Sequence, residues 1–200
     1  TRGEILYSDG DICDARFSKC CGGVTEEYRY CWENITKPYL VSVADPYCNT
    51  KDAKVLSQVL NGYDQETDDF HDWKVTLTKE KLKSLLKEKL NLEIGDIVTM
   101  DALERGKSGR ISRLKIIGTE KSFTIGKELE IRRALSDTHL YSSAFDIEVH
   151  DDHFVLNGKG WGHGVGLCQI GAAVMGEKGF KYNEILLYYY KNTEIKKIYR

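Results

Sequence analysis

The segment from Gly158 to Ala173, GKGWGHGVGLCQIGAA, holds six glycines, one histidine and one glutamine within sixteen residues. Glycine lacks a Cβ, so such a run lets another backbone or a ligand approach closely. An ordinary surface turn needs far fewer, and the excess marks a crowded place. His163, between Gly162 and Gly164, is the group here that can exchange a proton near neutral pH. The Gln169 amide both donates and accepts, which suits hydroxyls and N-acetyl groups. Trp161 offers a flat aromatic face on which a saccharide ring can stack. Each has a plainer use as well. His163 and Gln169 can brace the backbone of their own loop, and Trp161 can pack in a core. A phosphate cradle is excluded, because no Lys-Ser or Lys-Thr pair follows the glycines and their spacing is not a dinucleotide fingerprint.

The cysteines are the second reactive set. Cys13, Cys20, Cys21, Cys31 and Cys48 lie in the first quarter of the chain, and Cys168 lies inside the glycine run. That density points to an oxidising compartment, with disulfides among the first five. Adjacent Cys20 and Cys21 would face opposite sides of an extended strand and are not expected to pair with each other. Buried free thiols and metal ligation are the alternatives. No C-x-x-C pair occurs, and gaps of 6, 0, 9 and 16 residues match no zinc template. Neither a metal nor a cofactor is therefore expected. Cys168 reads as a small buried apolar residue.

The elements that must position these groups are legible in part. Glu4 to Tyr7 and Ile12 to Phe17 read as strands about an Asp9-Gly10 turn. Lys19 to Trp32 reads as a loop with a sharp Gly22-Gly23 turn, although Tyr28, Tyr30 and Trp32 alternate as in a strand. Tyr39 to Val43 reads as a short apolar strand, and 49–69 as helix mixed with polar loop. Leu82, Leu85, Leu86 and Leu90 form the apolar stripe of a helix that Thr78 is placed to cap. A meander follows through Ile97–Leu103, Ile111–Ile117 and Ser122–Ile125, and then a short helix from Lys127 to Leu135. Phe145, Ile147 and Val149 alternate with polar residues, and Asp151-Asp152 turns that strand into His153–Leu156. Leu167, Ile170, Gly171, Val174 and Met175 place a helix directly after the glycine run. Tyr188 to Tyr190 read as helix packing with surface hydroxyls. The fold class is α+β, with antiparallel meanders and a few helices packed around a cleft. The expected organisation is one domain over 1–200, with a possible sub-lobe at 70–137.

Composition removes several functions. A net charge of −2 leaves no broad basic field for nucleic acid. The cluster Arg105, Lys107, Arg110, Arg113 and Lys115 reads as a solvated basic hairpin. The longest apolar stretches, such as Ile185–Tyr190, fall far short of the ~20 residues of a membrane span, so this segment is expected to make no membrane contact.

The glycine-histidine-glutamine run, ahead of its helix, resembles the GxGxGHGxGxxQxGA signature of the SpoIID/LytB family. GFKYNEILLYYYKNTEI, from Gly179 to Ile195, resembles that family's closing helix and last strand. CGGVTEEYRYCW, PYLVSV, SGR, LEIRRAL and LYSSAF follow in the family's order upstream, so the resemblance spans nearly the whole chain. It implies an extracytoplasmic protein acting on peptidoglycan glycan strands. The full-length parent would be a lytic transglycosylase cutting peptide-free strands. The alternative is a non-catalytic wall-binding module that enhances an amidase, and an amidase or other wall hydrolase is then a partner.

The resemblance also implies that the family's catalytic glutamate lies in a segment N-terminal to Thr1, so the catalytic residue is unknown here and the chain is expected to be truncated relative to the family. It places Trp161, His163 and Gln169 in a substrate cleft. Thr25 and Glu26, from the GGVTEE motif, are further candidates, and Glu26 could bond sugar or support the acid. As a plainer reading, Glu26 is a solvated loop residue or a helix cap.

Overall fold

The computed structural model describes residues 3–60 and 70–199, so the last part of the 49–69 region, residues 61–69, lies outside the described residues. The architecture is α+β. Two strands, β1 (Glu4–Ser8) and β2 (Asp11–Ile12), form the first hairpin, with Asp9 and Gly10 both at positive φ in its turn. The next strand, β3 (Phe17–Ser18), leaves this hairpin. Short helices α1 (Tyr28–Cys31) and α2 (Ala53–Val59) follow among loops.

The middle of the chain is more regular. Strand β4 (Asp72–Thr78) runs into α3 (Lys79–Leu90), whose N-terminus is capped by Thr78 Oγ1 accepting from the Lys81 amide at 3.1 Å. Leu82, Leu85 and Leu86 of α3 are buried, as the stripe requires. Strands β5 (Ile97–Arg105), β6 (Ile111–Gly118) and β7 (Ser122–Ile125) form an antiparallel meander in that order. Helix α4 (Glu128–Ala134) packs on it through Ile131. Strands β8 (Phe145–Val149) and β9 (His153–Lys159) complete an antiparallel sheet ordered β4-β9-β8.

The chain then returns to its start. Strand β10 (Leu167–Cys168) pairs parallel with β3, and α5 (Gln169–Glu177) and α6 (Tyr182–Tyr189) follow. The last strand, β11 (Glu194–Lys197), pairs with β1, so the sheet order is β11-β1-β2. Two hydrophobic clusters result. One joins α3, the meander, α4 and Phe145, Phe154 and Leu156 of the β8–β9 hairpin. The other joins the N-terminal loops to α5 and α6 through Cys20, Leu40, Val165, Ile170 and Tyr189. The glycine-rich segment lies at the passage between them.

Several local expectations are corrected. Tyr39–Val43 is not a strand, since the nearby pairing is a single bridge between Val24 and Ala44. The alternating Tyr28 and Tyr30 lie on the one-turn helix α1, not on a strand. Tyr189 and Tyr190 are buried, with hydroxyls bonded to Asp45 Oδ2 at 3.0 Å and to the Arg16 carbonyl at 2.7 Å. Tyr189 and Tyr190 thus pack inward against loops that local propensity does not place. Among the described residues, no helix is long and apolar enough to cross a membrane.

Candidate functional site

The glycine-rich segment wraps a buried cation. Gly160, Gly162, Gly164 and Gly166 all sit at positive φ, so every second residue turns the chain. At Gly164 a Cβ would lie 2.5 Å from Arg110 Cζ, too close for any side chain. The guanidinium of Arg110, 1% exposed, donates to the carbonyls of Gly162 (3.1 Å) and Cys21 (3.0 Å). It forms no ion pair among the described residues. The expected solvated basic hairpin is thus corrected at this position: Arg110 points inward because the strand start at Ile111 turns it toward carbonyls that need a donor.

Glu26 is equally buried. Its carboxylate accepts from the amides of Glu27 (2.8 Å), Lys107 (3.1 Å) and Ser108 (3.2 Å), and from Ser108 Oγ at 2.6 Å. Its own amide donates to the Gly164 carbonyl at 2.9 Å. Neither the cleft nor the solvated-loop reading describes this geometry, because every Glu26 oxygen is engaged inside the fold. Thr25 is also fully buried. Its hydroxyl accepts from the Val43 amide at 2.8 Å and donates to the Val41 carbonyl at 3.3 Å.

His163 is half-buried. Its Nδ1 accepts from the Val165 amide at 3.0 Å, and the ring also bonds the Phe17 backbone. The Trp32 ring meets it edge-on at 4.8 Å. Burial first, and then Arg110, Arg132 and Arg16, lower its pKa to about 4. The neutral imidazole is thus bonded to the backbone of its own loop and of Phe17. Gln169 opens α5, half-buried, and its amide makes no hydrogen bond among the described residues. Trp161 is also half-buried, and Tyr141 meets it edge-on at 5.4 Å.

Trp161 and Tyr141 line one side of a groove of about 600 Å³ between β4 and the stretch from Leu135 to Leu140. Ser136, Asp137, Thr138, His139 and Lys81 supply its polar lining. Lys81 is ion-paired with Asp137. Burial, then the charges of Arg132, Arg133 and Lys89, lower the His139 pKa and favour its neutral form. A mixed aromatic and hydroxyl-rich groove can hold a sugar, stacking one face and bonding the edge. The sequence reading missed Tyr141 and the 135–140 wall, because nothing local in LSDTHL marks a groove.

The cysteines are the second departure. All six are free and buried. Disulfides among Cys13, Cys20, Cys21, Cys31 and Cys48 are not formed, and the Sγ atoms of Cys21 and Cys48 stand 3.6 Å apart. The sulfurs of Cys21, Cys48 and Cys168, with a carboxylate oxygen of Asp45, lie within 4.8 Å of one another. Cys168 is buried, as expected, and its sulfur faces this set. Cys13 and Cys31 stand apart, Cys31 donating to the His163 carbonyl at 3.5 Å.

A family model described as a domain of unknown function, DUF8618, matches residues 26–166. An uncharacterised protein of Brachyspira hyodysenteriae is 31% identical over 195 residues, covering 98% of this chain and 46% of that protein. The amidase enhancer of Bacillus subtilis is 24% identical over 225 residues, covering 98% of this chain and 31% of that protein. Stage II sporulation protein D of Bacillus subtilis is 25% identical over 195 residues, covering 98% and 48%. The chain spans less than half the length of each of these curated relatives.

Proposed function

Because the chain belongs to the DUF8618 family, and with its curated relatives to a SpoIID/LytB-like family, we propose that it is the glycan-facing part of an extracytoplasmic cell-wall protein. The observation that carries this reading is the Trp161–Tyr141 groove, which adjoins the glycine-rich segment and joins aromatic faces to hydroxyl and charged edges. The occupant is a peptide-free peptidoglycan strand, whose N-acetyl sugars offer apolar ring faces and many hydroxyls.

In the whole protein the reaction is lytic transglycosylation. A carboxylic acid protonates the glycosidic oxygen, the sugar's own C6 hydroxyl attacks, and a 1,6-anhydro end forms. Glu26 is engaged by backbone donors and does not serve as that acid. The acid belongs to the N-terminal segment that the family resemblance implies, and this chain supplies binding and orientation. The second reading is a non-catalytic module that stimulates a wall hydrolase, favoured by the relative named amidase enhancer.

Binding of purified peptide-free glycan strands to this chain tests the shared part. Trp161→Ala should weaken it roughly tenfold, the value of one lost stacking platform. Unchanged affinity with a folded variant would overturn the groove assignment. The two readings separate in the full-length protein, by mass spectrometry for 1,6-anhydro ends against stimulation of a separately added amidase.

A further inference from the structure

We propose that Cys21, Cys48, Cys168 and Asp45 form a structural zinc site that staples the N-terminal loops to the start of α5. The four residues come from three distant parts of the chain, yet their ligand atoms lie within 4.8 Å of one another, and all four are buried. A tetrahedral zinc with thiolate bonds of about 2.3 Å sets its sulfurs roughly 3.8 Å apart. The Cys21–Cys48 separation of 3.6 Å is close to that edge and far from a disulfide. Asp45 Oδ2 lies 3.1 Å from Cys21 Sγ and completes the set. Three sulfurs and one carboxylate oxygen suit zinc, which accepts both donor types and favours four ligands.

The surroundings point the same way. Backbone amides are aimed at the sulfurs: Gly23 at Cys48 (3.1 Å), Cys21 at Cys168 (3.3 Å) and Gly171 at Cys168 (3.4 Å). A neutral thiol is a poor acceptor, so three such donors fit sulfurs that carry charge. The Asp45 carboxylate is oriented in turn by the Tyr47 amide at 2.9 Å and the Tyr189 hydroxyl at 3.0 Å. Outer contacts of this kind hold metal ligands in place. Gly171 keeps the space open, since a Cβ there would sit 2.2 Å from the Tyr189 hydroxyl and 2.5 Å from Asp45 Oδ2. Arg110, bonded to the Cys21 carbonyl, brings a positive charge beside a site that carries a net negative one. Cys20 also approaches the sulfurs of Cys48 and Cys168, but the four whose ligand atoms all lie within 4.8 Å of one another are Cys21, Asp45, Cys48 and Cys168.

Zinc binding releases the thiol protons of Cys21, Cys48 and Cys168 to solvent, with no redox partner required. The staple is independent of any glycan chemistry, so its test reads metal and not activity. The chain is purified without an affinity tag and under reducing conditions, stripped with chelator, and titrated with zinc alone. One zinc per chain is expected, with chelation lowering the melting temperature by roughly 10 °C or more. Cobalt in its place should give a thiolate-to-metal charge-transfer band of tetrahedral type. Cys48→Ser and Cys168→Ser should lose the zinc, while Cys13→Ser and Cys31→Ser keep it. Should the first two variants not fold, the wild-type stoichiometry and cobalt spectrum still decide. Six titratable thiols with no bound metal, or a disulfide among Cys21, Cys48 and Cys168, would overturn the proposal.

Discussion

Glu26 and Arg110 are joined through a single hydroxyl. Ser108 Oγ donates to Glu26 Oε2 at 2.6 Å and accepts from Arg110 Nη1 at 3.0 Å. Both charges are buried, and each spends its remaining bonds on backbone. The relay fixes the β5–β6 turn on one side and the glycine-rich segment on the other.

Replacing Glu26 by Gln puts an amide NH2 among three backbone N–H donors and removes the charge facing Arg110. The expected cost is about 2–4 kcal/mol, read by urea or thermal unfolding. A Glu26→Gln protein that melts like its parent but loses glycan binding would move Glu26 from the scaffold into the cleft.

His163 gives the fold a dependence on pH. Its pKa is about 4 in the folded chain and near 6.5 in the unfolded one. As pH falls below 6.5 the unfolded chain takes up a proton that the folded chain refuses. The contribution is therefore whole above 6.5 and is lost progressively down to about 4, amounting to about 3 kcal/mol. Stability curves of wild type and His163→Gln across that window should converge at low pH. Parallel curves would show that the imidazole titrates freely in the folded state.

Gly166 should be the least replaceable residue of the glycine run. Its φ is +73°, and a Cβ would lie 2.0 Å from the Arg16 carbonyl. That carbonyl already accepts from the Leu167 amide and the Tyr190 hydroxyl, so it cannot retreat. Gly166→Ala should cost roughly 3 kcal/mol or more. Gly176, inside α5 with nothing within 4 Å of its Cβ position, is the control, and Gly176→Ala should gain up to ~1 kcal/mol. Equal melting temperatures for the two variants would contradict this account.

What the sequence disclosed follows the range of the forces involved. The leucine stripe of α3, its Thr78 cap, the meander and the β8–β9 hairpin depend on neighbours a few residues away, and all are visible in local periodicity. The glycine run was visible too, because left-handed backbone and close approach leave glycine as the usual solution. The groove was not, because Tyr141 and Trp161 meet only through tertiary packing. The cysteine cluster was missed for the same reason. Template spacing tests ligands from one or two loops, whereas Cys21, Cys48 and Cys168 converge only once β3 and β10 have paired. Arg110 looked like one of five surface cations until its carbonyl partners were in place.

The pairing of β1 with β11 has a mechanical meaning. The strands are antiparallel, with Glu4 opposite Lys197 and Tyr7 opposite Glu194, so the outer ends of both strands emerge at the same end of the ladder. Tension applied through those two ends pulls across the hydrogen bonds and breaks them in sequence, as a zipper opens, instead of loading them all together in shear. Such a seam yields at low force. Its opening would draw Leu6 and Ile195 away from the cluster around Cys20 and Tyr189 and leave the cluster around α3 and the meander in place.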